Sequence, residues 1–173
     1  ALTGSTSLLL ELSLGAGKDE REVAFFDRFG RKDIPNKAHY LLMMPVQIGF
    51  LERLFQEAIE DNFRPYVQLS AGPTLGWEYP YFRDENGNDV LDPGEKVYDA
   101  LSALPRGHLR PGVGGTLALG AHFGRDRHLT QGLRIGYTFT YFVDGIQLLE
   151  PTVQKARHFF GTPTITLLFG RLF

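Results

Sequence analysis

The chain has 173 residues, 43% of them hydrophobic, a formal charge of -2 and no cysteine. That length fits a single domain over 1–173. The charge and the lack of any recognition motif exclude a nucleic-acid surface, and the missing cysteines exclude disulfides, thiolate chemistry and Cys-based metal sites.

No run of about 18 apolar residues occurs, so a spanning helix is excluded. No secretory leader opens the chain at Ala1, as expected of an exported protein that has lost it. From there the sequence reads as strands. Ser5–Leu14 sets Leu8, Leu10, Leu12 and Leu14 against Ser7, Leu9, Glu11 and Ser13, the two-residue period of a strand. Gly15–Lys37 is charged and rich in turn residues, hence a loop, within which Val23, Phe25, Asp27 and Phe29 keep strand spacing. Ala38–Leu51 alternates again, with Tyr40, Leu42, Met44, Val46, Ile48 and Phe50 on one face. Leu54, Phe55, Ala58 and Ile59 follow helical spacing, yet a new strand starts at once, so a hairpin over 56–62 is expected.

That strand, Phe63–Tyr79, organises the rest. Phe63, Val67, Leu69, Leu75, Trp77 and Tyr79 fall on one face, and Arg64, Gln68, Ser70, Gly72, Thr74 and Glu78 on the other. Ordinary strands run about 5–6 residues; this one alternates for 17. Its wet face is small and polar rather than densely charged, which suits a confined interior. Its dry face ends in aromatics, where a membrane strand carries its girdles. After a non-strand segment over 81–109, Arg110–His122 alternates, a short turn over Gly124–Gln131 follows, and Leu133–Asp144 alternates again. A loop through Pro151 and Lys155 leads to a last strand with Phe159, Ile165, Leu167, Phe169 and Phe173 opposite His158, Thr162, Thr164 and Thr166.

These segments predict an all-β fold, an antiparallel up-and-down transmembrane β-barrel. Six strands are read directly, while single-chain barrels of this kind start at eight. The prediction is therefore eight, with two strands hidden in 15–37 and 81–109, strands preceding Ala1, or chains combining. Long and short connections alternate, as when long loops are extracellular and short turns periplasmic. A soluble lipocalin-like binder, with its apolar face inward, is the alternative that alternation alone leaves open.

MPVQIGF (44–50), NFRPYVQLSAGP (62–73), GLRIGYTF (132–139) and the final strand ending in Phe173 resemble the small outer-membrane β-barrel domain families of Gram-negative bacteria. The resemblance covers 38–173 and implies location in the bacterial outer membrane, with the lipid bilayer as partner. It also implies that the terminal strand is read by the barrel-assembly machinery, although Arg171 stands where that pattern has an apolar residue. Functions within such families vary, so the fold does not name one.

One constellation carries metal chemistry. In Asp84–Glu95, oxygen donors fall at positions 1, 3, 5, 9 and 12 of the twelve-residue EF-hand loop: Asp84, Asn86, Asn88, Asp92 and Glu95, with the Val90 carbonyl at position 7. Such a set predicts Ca²⁺ stapling an extracellular loop, with Glu95 closing bidentately. Position 6 is Asp89 instead of Gly, and Asp tolerates the left-handed backbone that the turn demands. Val97, Ala100, Leu101 and Leu104 then predict an exiting helix up to Pro105. Read without metal, the segment is a solvated acidic loop.

His39, His122 and His158 fall on wet faces, but no nucleophile motif surrounds Ser13 or Ser70. A lipid-modifying enzyme of the deacylase or acyltransferase type is therefore the runner-up, and no catalytic residue is assigned. Glu11, Arg64, Glu78, Arg110, Arg134 and Asp144 point inward and are expected to pair across the lumen. An eight-stranded interior is filled by side chains, so a wide pore is not expected. The functional expectation is a non-enzymatic outer-membrane protein that is structural or presents loops to a ligand or partner.

Overall fold

The computed structural model describes residues 5–55, 62–124, 129–153 and 155–171. Long strands form because alternating residues can all be buried on one side of a pleated sheet while their neighbours face out. They are β1 (Thr6–Leu12), β2 (Gly15–Gly17), β5 (His39–Arg53), β6 (Phe63–Pro80), β7 (His108–Phe123), β8 (Leu129–Ile146) and β9 (Arg157–Arg171). Their order is β1-β5-β6-β7-β8-β9, every pair antiparallel, with β2 also on β5. β1 and β2 keep one register: Leu12 faces Val46 and Gly15 faces Met43. The break between them lies opposite Pro45, which has no N–H to give; only its carbonyl is used, by the Ser13 N–H at 3.2 Å. The sheet thus has six paths, corresponding to the six segments read from alternation.

The sheet is inside out by the standards of a soluble protein. Gln47, Gln68, Ser70, Thr74, Glu78 and Thr116 on its inner face are buried, while Leu10 (74% exposed), Leu69 (62%) and Ile165 (78%) stand outside. Curvature makes that interior. Glu11 on β1 and Arg134 on β8 lie four strand steps apart, about 19 Å across a flat sheet, yet they meet at 2.7 Å. Close backbone approach requires glycine at Gly72, where a Cβ would collide with the Val46 carbonyl on the neighbouring strand.

The described residues form a curled antiparallel sheet of six paths where eight strands are expected. Among the described residues no ladder joins β9 to β1 or β2. Nor does 15–37 hide a barrel strand. Beyond β2 it holds the separate hairpin of β3 (Phe25–Phe26) and β4 (Lys32–Asp33), whose turn is fixed by Asp27 accepting the Phe29 and Arg31 N–H groups, and an isolated bridge from Lys37 to Leu149. The segment 81–107 contributes one isolated bridge, Phe82 to Val97. That bridge also removes Val97 from the predicted helix. α1 spans only Ala100–Ala103, capped by Asp99, and runs into a 3₁₀ turn over Leu104–Arg106. The predicted hairpin residues 56–61 and the terminal Phe173 lie outside the described residues.

All three long connections gather at one end. Ala38 and His39 N–H groups donate to the Leu148 carbonyl, Tyr81 N–H to the Ala38 carbonyl, and Trp77 Nε1 to the Leu104 carbonyl. Beneath them Leu41, Met43, Phe142, Ile146, Leu148 and Phe160 form an apolar plug inside the curl. The interior toward the long loops therefore combines this apolar plug with the buried Glu78, and toward the short turns it is polar.

Candidate functional site

The polar half of the interior is a hydrogen-bonded network. Gln47 Oε1 accepts from the Ser70 and Thr116 hydroxyls, each at 2.8 Å, and Thr116 reaches Thr138 at 2.9 Å. Gln68 bridges the Glu11–Arg134 pair, donating to Glu11 at 2.8 Å and accepting from Arg134 at 3.0 Å. Higher up, Arg110 holds Glu78 at 2.6 Å. Four of the six charges expected to point inward therefore pair. Asp144 is instead exposed in the β8 bulge, and the buried Arg64 Nε and Nη2 have no hydrogen-bond partner among the described residues. The ions come together because unpaired charge inside a sheet of low polarity is costly.

Two of the three histidines point inward as expected. His39 Nδ1 lies 3.0 Å from the Gln147 carbonyl and 4.0 Å from Glu78, and His122 stacks on Tyr66 with centroids 4.8 Å apart. His158 departs from its wet-face assignment. The bulge between Tyr141 and Ile146 leaves it exposed and stacked on outward-facing Tyr141. Among these hydrogen bonds and ion pairs, neither His39 nor His158 has a serine partner.

The predicted metal residues do occupy one loop. Asp84 accepts backbone N–H groups of Asn86 (3.0 Å), Gly87 (2.6 Å) and Asp89 (2.8 Å). The Asp89 N–H above all, with those of Gly87, Asn88 and Asn86, holds the Asp84 carboxyl below its ordinary range. Asp89 itself has φ +54°, so it takes the left-handed turn usually reserved for Gly at this position. Asp92 Oδ2 accepts the side-chain amides of Asn86 (2.9 Å) and Asn88 (3.2 Å), and the Val90 N–H donates to Asn88 Oδ1. Glu95 caps two backbone N–H groups, those of Glu85 and Asp92, both at 2.9 Å.

The donors therefore fit calcium in kind and spacing, all hard oxygens on one fold-back. Their arrangement is a loop cross-linked by its own N–H groups, and among the described residues no three acidic or histidine groups are gathered for a metal. An ion would have to take over Asp92 and Glu95 from those donors, with the Asn86 and Asn88 amides reversed to present oxygen.

Several structural groups have no linear signature. Lys37 and Glu22, fifteen residues apart, form a buried pair at 2.8 Å, with the ammonium 4.9 Å from the Tyr40 ring. Arg157 ties the start of β9 to Glu20 at 2.7 Å and to buried Asp19 at 3.3 Å. No protein-family profile, curated protein or solved structure matches this chain.

Proposed function

We propose that this chain is an outer-membrane β-barrel protein of the small Gram-negative type, without enzymatic activity, that presents its long loops to an extracellular ligand or partner. One observation carries the reading: large apolar side chains cover the outside of the sheet while buried glutamines, threonines and ion pairs fill the inside. That distribution suits a hydrocarbon solvent, because a bilayer makes no demand for polar groups on the outer face and forbids unsatisfied ones within. A lipocalin-like binder needs the opposite arrangement. In this reading the bilayer is the outer membrane, the barrel-assembly machinery inserts the chain, and the gathered long loops lie outside the cell.

Spin labels placed one at a time along Phe63–Tyr79 test it in reconstituted vesicles. Lipid-soluble oxygen should relax labels at Val67, Leu69 and Leu75 but not at Gln68 or Thr74. A protein that stays monodisperse without detergent would instead be soluble, and the proposal would fail.

Calcium is proposed as the staple of the Asp84–Glu95 loop, with Glu95 as its closing ligand. Thermal unfolding with calcium and with chelator should differ by a few degrees in the wild type and not at all in Glu95→Ala. Equal melting points in the wild type would leave the loop held by hydrogen bonds alone.

A further inference from the structure

The two free edges of the sheet, β2 and β9, share a slot. A cavity of about 290 Å³ at its loop end and one of about 180 Å³ below it have Ala16, Met43, Phe160 and Thr162 in common as lining residues. The lower part exposes mainly apolar surface, from Leu14, Pro45 and Phe160, among the side chains of Ser13 and of four threonines that include Thr140 and Thr164. The upper part is mainly polar and ends at Lys18, Glu20 and Arg157. Arg157 is engaged by Asp19 and Glu20, whereas Lys18 is exposed and has no partner among the described residues. From Lys18 down to Ser13 the slot follows five residues of chain, about 17 Å at strand rise.

We infer that this slot binds one single-chain amphiphile with an anionic head, a fatty-acid-type carboxylate, its head at Lys18 and its chain running down toward Thr140 and Thr164. Polarity selects this class: a cation unpaired among the described residues at one end and a mainly apolar stretch at the other. Access is from the side. Leu14 lines the slot, and β1 and β9 carry exposed Leu10, Leu12, Ile165 and Leu167 beyond its lower end. That route rests on the membrane reading; the slot and its polarity do not.

Titration of dodecanoate against a bound fluorescent fatty acid, with the protein in a non-ionic detergent, tests the inference. Displacement should saturate at one site. Lys18→Gln should weaken dodecanoate about tenfold, the loss of one charge-assisted contact, and leave dodecanol unchanged. Ala16→Trp should fill the slot and abolish both. Circular dichroism checks that this variant folds, and Thr162→Trp, at an exposed β9 position, replaces it if it does not. Non-saturable uptake, uptake indifferent to both tryptophans, or equal affinity for dodecanoate and dodecylamine would overturn the site. If the protein proves soluble, the titration is repeated without detergent. Saturable binding there would remove the membrane reading and keep the slot.

Discussion

At the scale of single residues, the interior is decided by ion pairs that cannot be left half made. Arg134 is mostly buried, and its charge is answered by Glu11 at 2.7 Å, with Gln68 and Thr166 as neutral partners. Glu11→Ala leaves that guanidinium with the neutral partners alone, and removing one member of a buried pair costs about 3–5 kcal/mol. The expected value is near the lower figure, because both side chains keep some exposure. Adding Arg134→Met should recover most of the loss, since the stranded charge then disappears. Urea unfolding in vesicles measures both. Equal losses in the single and double variants would show that packing, not charge, set the effect. At this scale the gathering of Asp84, Asn86, Asn88, Asp92 and Glu95 into one loop, with Asp89 in the left-handed turn, was legible from their spacing. Their hydrogen bonds were not, because the same oxygens satisfy backbone N–H groups and metal ions alike. The Lys37–Glu22 pair was illegible altogether: fifteen residues of irregular chain separate its members, and no periodicity brings them together.

At the scale of elements, alternation was a strong guide because the two faces of each strand meet such different surroundings. Phe63–Tyr79 was read as one strand and forms β6 from Phe63 to Pro80. What periodicity could not see was competition for the same backbone. Val97 has helical spacing with Ala100 and Leu101, yet its place is taken by the bridge to Phe82, and the helix starts only after the Asp99 cap. Phe25 and Phe29 likewise have strand spacing, but the Asp27 turn folds Phe25–Phe26 back on Lys32–Asp33. The outer face of β6 yields a sharp prediction. Leu69 is 62% exposed near the strand centre. In water, Leu69→Arg would be close to neutral; at the middle of a bilayer it should destabilise by about 2–4 kcal/mol. Folding equilibria in lipid vesicles decide, and the neighbouring Ser70, which faces inward, serves as the contrasting position.

At the scale of the whole molecule, closure of the sheet leaves no trace in the sequence, and the reason is physical. Alternation reports which way a side chain faces but not which strand lies beside an edge, so six segments were visible and their seam was not. The seam is held at one end by Arg157, whose guanidinium reaches from the first residue of β9 to Asp19 and Glu20 just beyond β2. Asp19 is fully buried, so this tie is stronger than an exposed ion pair. Elsewhere along the two edges no backbone ladder is formed among the described residues, in contrast to the continuous β6–β7 ladder from Phe63 and Phe123 to Glu78 and His108. Arg157→Ala should therefore release the edges without disturbing the middle of the sheet. Amide exchange at Gly15–Gly17 and at the loop end of β9 should accelerate about tenfold, equivalent to about 1.4 kcal/mol. Exchange in β6 and β7 should not change, because their amides are paired on both sides. Uniform acceleration across all strands would mean that the tie supports global folding, and uniform protection that the edges are sealed by something other than Arg157.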